Sequence, residues 1–388
     1  FKDRKGEFVS NSGASLTNFG EIMYQAELDK FTWFMDKEEL EVTASGKTVD
    51  RGANELQIEG AEFVSINPIQ DSLRFYASSA RYKYADENIS LQARKVKLIN
   101  VADAEVIPNN GKVTLYKGAV MEVLDSSIIV ANTELRYHTI YDARTEVMGR
   151  WKFKSSGKYD YVDENGLKQV LEMTSVGVDT TRQTYAEGII LEDDDFSLSP
   201  MYRYRGDVKL IANRKNLTFD GYGKLVHECN AIPALWFSFI GEVDPKEIVI
   251  NINDDILDND GEALFASVIM PRDTSDMYGA FINQKRSYRD VPVSLATGYL
   301  EFDPGNRKYR ISNLQKLNEP TYPGNYVAIN TKDCSLEGEG QLEFTQKTGR
   351  VKVQAVGNYT YNSVSRKGEF NTSMLIDFLF DDGLMGLI

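Results

Sequence analysis

Two histidines, His138 and His227, are the only imidazoles in a chain of 388 residues. An enzyme built on a nucleophile and a base would have to use one of them. No G-x-S-x-G elbow is present to supply a partner serine. His227-Glu228-Cys229 sets an imidazole and a sulfur two residues apart, which on a strand puts both on one face and Glu228 on the other. Two ligands fall short of a zinc site, so the segment reads as a buried or edge histidine before it reads as a metal centre. Cys229 and Cys334 are the only cysteines. A single disulfide between them and two separate buried thiols both fit, because two cysteines carry no framework signal.

The acidic stretch 253–262, NDDILDNDGE, offers hard carboxylate oxygens at Asp254, Asp258 and Asp260. Calcium is therefore the one cofactor the sequence nominates. The stretch departs from the EF-hand loop, since counting back from Gly261 puts Ile256 where the first aspartate should stand. A solvated turn is the competing reading, and the acidic loop Glu192 to Asp195 is a weaker case of the same kind. Glycoside hydrolysis needs two carboxylates about 5 to 10 Å apart across a cleft, a pair that sequence cannot pick out among 58 acidic residues. The Gly-x-Gly pairs at 221/223 and 338/340 lie inside alternating runs, where glycine marks a bulge or a close crossing and not a phosphate cradle. No catalytic residue is nominated, and the chain is expected not to be an enzyme.

The elements that would carry any site are strands. In residues 206–226, Val208, Leu210 and Ala212 alternate with polar residues, Asn213 to Asn216 break the pattern, and Leu217, Phe219 and Leu225 resume it. That is a hairpin. Two more share its plan. One runs from Gly298, Leu300 and Phe302 through 303–306 to Tyr309 and Ile311; the other from Leu336 and Leu342 through 347–349 to Val351 and Val353. Asn165-Gly166 closes a further hairpin after Trp151 to Tyr161, because a type I′ turn wants positive φ at both central residues.

Between 73 and 98 the alternation changes parity. Leu73, Phe75 and Ala77 are followed by Ala80, Tyr82 and Tyr84, and Leu91 and Ala93 by Val96 and Leu98. A one-residue slip would turn the apolar set to the other face, so each change requires a bulge or a corner. Over Glu21 to Phe34, strands compete with an amphipathic helix. A short helix is expected near 274–285, where Met277, Tyr278, Phe281 and Ile282 fall on one helical face. The reading is all-β: an elongated stack of mainly antiparallel hairpins, folded over or solenoid-like, with one or two short helices. It divides into a β-rich segment 1–60, a stack 61–245 and a second section 246–388, with a soft boundary at 244–261.

Composition agrees. Tyr (21) and Phe (19) are plentiful and Pro (10) is scarce, which favours strands. A net charge of −14 disfavours nucleic acid and anionic membranes, whose binding needs cations. The longest apolar run, Ala231 to Ile240, is too short to span a bilayer as a helix. The opening at Phe1 and the apolar ending through Ile388 read as cut ends of a longer protein.

The order Leu73-Arg-Phe-Tyr-Ala77-Ser-Ser-Ala80-Arg-Tyr82, then a turn and a strand from Ile89 to Leu98, resembles the repeat of the OstA-like family of lipopolysaccharide-transport proteins. Gly206 to Ala212 is similar to that repeat's G-x-V-x-L strand, and the likeness covers about a third of the chain. It departs from that family's aliphatic interior, having Tyr and charged positions in its place. The resemblance implies a Gram-negative envelope setting and a folded-over, grooved sheet whose edges join end to end, with acyl chains between two sheets. It transfers no functional residue.

The expected function is a non-catalytic structural or binding module of a large secreted or envelope protein, periplasmic or surface-exposed and associated with the outer membrane. Its partners would be envelope or outer-membrane proteins met through β edges and faces. The alternatives are a lipid or glycolipid carrier of the OstA-like type, and a glycan-binding or glycan-active module using Trp151, Tyr161 and Trp236.

Overall fold

The computed structural model describes residues 4–11, 13–44, 48–51, 56–85, 89–252, 256–274, 276–344 and 351–378. The described chain is mostly antiparallel sheet, as its alternation requires. It divides into two compact units. One comprises Phe1–Tyr161, Lys168–Ile189 and Lys209–Leu217; the other comprises Val162–Leu167, Ile190–Val208 and Thr218–Ile388. The acidic segment 244–261 lies inside the second unit.

In the first unit successive passes of the chain are folded across two sheets. Tyr24–Leu28 belongs to one sheet and Lys30–Phe34 to the other; Arg74–Ala77 and Ser79–Lys83 divide in the same way, as do Ile99–Val101 and Ser90–Arg94, and Ala104–Ile107 and Lys112–Tyr116. The corners fall where the parity changes. Ser78 separates two strands whose buried residues are Phe75, Ala77 and then Ala80, and Lys95 turns the next corner with a φ of 57°. Corners pack on corners: a Cβ at Gly60, whose φ is 122°, would sit 2.3 Å from the Ala77 carbonyl oxygen, so only glycine fits there. The segment from Glu21 to Phe34 is strand, Tyr24–Leu28 and Lys30–Phe34, and not helix.

Between the sheets lies an aromatic core. The rings of Phe63 and Phe75 stack at 5.5 Å, with Tyr24 at 5.9 Å from Phe75. Phe19 of one sheet meets Tyr82 of the other edge-on at 5.2 Å. Gln70, a buried amide, accepts from the Tyr24 hydroxyl at 3.0 Å and donates to the Ala119 carbonyl at 2.7 Å, so its burial leaves no amide atom unmatched. Beyond the folded passes the longer sheet continues through His138–Gly149, Lys152–Val162 and Lys168–Val178, the last two flanking the Asn165-Gly166 turn.

The second unit contains a meander in the order Val249–Ile252, Gly298–Asp303, Lys308–Ser312, Tyr326–Asn330, Ser335–Leu342, Val351–Asn362 and Lys367–Phe378. Both hairpins read here from sequence are present, with Asp303 opposite Lys308 and Leu342 opposite Ala355. Residues 347–349 of the second turn lie outside the described residues. Gly338 faces Tyr359 across the ladder, and a Cβ there would enter the Tyr359 ring at 2.3 Å. The glycine is a seat for an aromatic ring. The hairpin at 206–226 forms from Tyr202–Ile211 and Leu217–Leu225.

One expectation is overturned. Residues 274–285 hold no helix among those described; Tyr278–Asn283 is a strand paired with Phe265–Met270. Phe281 and Ile282 are both buried because the register slips between Phe265/Asn283 and Ser267/Ala280, and Ile282 takes a φ of 47°. A bulge thus buries adjacent residues and imitates the i, i+1 pattern of a helix. The helix that does form is the single turn Leu314–Asn318, capped by the Asn313 side chain, which accepts from the Lys316 N–H at 2.9 Å.

Candidate functional site

The residues singled out by chemistry are mostly committed to structure. His138 is buried. Its Nε2 lies 2.7 Å from the Arg214 carbonyl oxygen and its Nδ1 3.1 Å from the Tyr159 hydroxyl. A carbonyl only accepts, so Nε2 carries the proton and Nδ1 accepts from Tyr159. Burial lowers the pKa of this imidazole from its ordinary 6.5, and the Arg214 hydrogen bond only partly opposes it. A depressed histidine pKa gives stability that is present above 6.5 and lost as pH falls below it. The first unit should therefore be less stable to urea at pH 5.5 than at pH 7.5. His138→Phe, which leaves the Arg214 carbonyl without its donor, should cost on the order of 2 kcal/mol at pH 7.5 and flatten that slope. An unchanged slope in the variant would contradict the assignment.

His227 and Cys229 do not form a metal or thiol site. The Cys229 sulfur is joined to Cys334 across 105 residues, with Cα atoms 5.4 Å apart, inside the range a disulfide requires. The His227 Nδ1 accepts from the Cys229 N–H at 3.2 Å. Of the calcium residues, Asp254 lies outside the described residues. Asp258 is buried, and its Oδ1 accepts from the N–H groups of Asp260 and Glu262 at 2.8 and 2.9 Å while its Oδ2 accepts from Gln284. It is the acceptor that closes a turn. Asp260 is exposed and bonds Asn259. Among the described residues no three His, Cys, Asp or Glu side chains gather as a metal would need.

The aromatic residues considered for glycan stacking are engaged too. Arg182 and Arg150 lie 4.2 and 4.8 Å from the Trp151 ring centre, and its indole N–H donates to Asp71. Arg205 and Lys224 lie 4.7 and 5.5 Å from the Trp236 ring, whose N–H donates to Glu192 at 3.3 Å. Tyr161 is buried. These are cation–π assemblies, not open platforms.

What the fold leaves open is edges. Among the described residues the first pass of the first unit, Lys5–Val9 in one sheet and Ser15–Phe19 in the other, pairs on one side only, with Lys30–Phe34 and Tyr24–Leu28. It exposes Phe8 (54%), Val9 (65%) and Leu16 (67%). In the second unit Lys367–Phe378 pairs along all 12 residues with Val351–Asn362 and forms the last strand of its sheet among the described residues. Met374, Leu375 and Ile376 are each at least half exposed. Three consecutive apolar residues on a strand put apolar surface on both faces, a signal present in the sequence and not read from it. No helix among the described residues is long and apolar enough to cross a membrane. No protein-family model matches the chain, and neither a curated protein nor a solved structure is similar enough to count as a match.

Proposed function

We propose that the chain is a non-catalytic scaffold or binding module of a large secreted or cell-envelope protein, engaging other envelope proteins by strand addition at its edges. The observation that carries this reading is the apolar surface on strands that end their sheets among the described residues: Phe8, Val9 and Leu16 on Lys5–Val9 and Ser15–Phe19, and Met374, Leu375 and Ile376 on Lys367–Phe378, none of which holds a proline. The buried Cys229–Cys334 disulfide supports an oxidising compartment outside the cytoplasm. The aromatic packing of Phe19, Phe63, Phe75 and Tyr82 between the two sheets weighs against an acyl-chain groove there.

Native mass spectrometry of the full-length protein, extracted gently from its own envelope, should find stoichiometric protein partners and no lipid. Lysines at Phe8, Leu16, Met374 and Leu375 should abolish those partners and leave stability within about 0.5 kcal/mol per site. Retained lipid without partners would favour the glycolipid carrier, and partners that survive the four lysines would remove the edges from the account.

A further inference from the structure

The same five residues, Arg-Lys-Gly-Glu-Phe, occur twice in the chain, at Arg4 to Phe8 and at Arg366 to Phe370. Both copies open strands at sheet edges. Among the described residues Lys5–Val9 ends its sheet in the first unit and Lys367–Phe378 ends its sheet in the second. The two segments are alike in structure as well as in sequence. Arg4 and Arg366, each just before its strand, take left-handed conformations with φ of 46° and 56°. In each strand the phenylalanine ring lies against the glycine two residues before it: a Cβ at Gly6 would come 3.1 Å from the Phe8 ring, and one at Gly368 would come 3.4 Å from the Phe370 ring. Alternation puts glycine and phenylalanine on one face of the strand and lysine and glutamate on the other. Lys5, Glu7, Lys367 and Glu369 are all exposed.

An open edge invites another strand, and a lone lysine is a common guard against one. A lysine and a glutamate on either side of a glycine act differently. Laid antiparallel against itself about that glycine, the pentapeptide sets lysine opposite glutamate on both sides and glycine opposite glycine. Opposite charges facing each other across a ladder stabilise it, and like charges destabilise it. Sliding one strand by two residues, the smallest slip that keeps the faces matched, sets lysine opposite lysine or glutamate opposite glutamate. The edge thus admits its own antiparallel copy in one register and resists the neighbouring ones. Lys5 and Glu7 already pair within their strand at 2.6 Å, a contact between exposed groups that is worth little and can be exchanged for two pairs with a neighbour. We propose that this pentapeptide is the element by which copies of this chain join edge to edge, glycine opposite glycine. The complementarity is that of the segment with itself, so the occupant is a second copy of this chain. Backbone hydrogen bonds supply the affinity, and the charges select register and partner. Each copy carries the segment at two edges, which lets association continue past the dimer. The inference rests on the reading of these edges as docking surfaces and names one partner for them.

Sedimentation velocity on the full chain should show dimers and larger species that grow with concentration. Two charge-reversed chains separate the pentapeptide from general stickiness of an edge: Lys5→Glu with Lys367→Glu, and Glu7→Lys with Glu369→Lys. Either one alone faces like charges on both sides of the glycine, and its self-association should weaken on the order of tenfold or more. Its melting temperature should stay in place, because all four side chains are exposed. Mixed in equal amounts, the two variants again set lysine opposite glutamate and should associate as the wild type does. A wild-type chain that stays monomeric across the micromolar range, a reversed chain that associates as well as the wild type, or a mixture that fails to associate would each overturn the proposal. A monomeric chain that still captures its envelope partners would overturn this inference alone, whereas a monomeric chain without partners would remove the edge reading with it.

Discussion

Replacing Cys229 and Cys334 together by alanine will lower the stability of the second unit by about 4 kcal/mol and leave the first unit unchanged. The bond closes a loop of 105 residues, and the chain-entropy model assigns a loop of that length about 4–5 kcal/mol through restriction of the unfolded state. Both sulfurs are buried, Cys229 at 2% and Cys334 at 6% exposure, so the alanines also leave small voids that add to the loss. Calorimetry in which the two units melt separately should show one transition moving down by on the order of 10 °C and the other staying in place. The same burial makes the disulfide slow to reduce until the second unit opens. A transition displaced by less than about 1 kcal/mol would show that the crosslink restrains little, and the case for an oxidising compartment would lose its physical basis.

How much of this was legible in the sequence depends on whether a feature is local. The corners at Ser78 and Lys95 were legible because a parity change in Phe75, Ala77, Ala80 admits no other geometry in a two-layer fold. The hairpins were legible for the same reason, each being a short alternation around a polar turn. The strand Tyr278–Asn283 was misread because one bulge put Phe281 and Ile282 inside together, and a helix and a bulged strand then look alike over six residues. The turn Leu314–Asn318 escaped because five residues are too few to show a period. The candidate sites were hardly legible at all. The pairing of Cys229 with Cys334 was a matter of tertiary structure, since two cysteines carry no framework signal and the sequence favoured separate buried thiols over the bridge that forms.

Phe75→Ala should destabilise the first unit by about 3–5 kcal/mol, the range for removing a fully buried phenyl ring from a rigid core. Phe75 is 1% exposed, stacks on Phe63 at 5.5 Å and lies against Tyr24 at 5.9 Å. The surrounding strands cannot collapse into the void without breaking the corner at Ser78, where the Ala44 N–H donates to the Ser78 carbonyl at 3.3 Å. Phe75→Leu, which keeps most of the volume, should cost less than about 1.5 kcal/mol. In a Trp236→Phe background the two remaining tryptophans, Trp33 and Trp151, both belong to the first unit, so urea denaturation followed by their fluorescence reads that unit alone. The pair of variants also separates the two envelope readings. If the space between the sheets is a packed core, the cost follows the volume removed and neither variant acquires lipid. If it is a groove held open for acyl chains, its lining residues lack a full set of contacts, the alanine variant loses less than about 1.5 kcal/mol, and it copurifies with more lipid than the wild type. The second pattern would put the glycolipid carrier ahead of the scaffold, because a wall that can lose a phenyl ring at so little cost is not supporting a core.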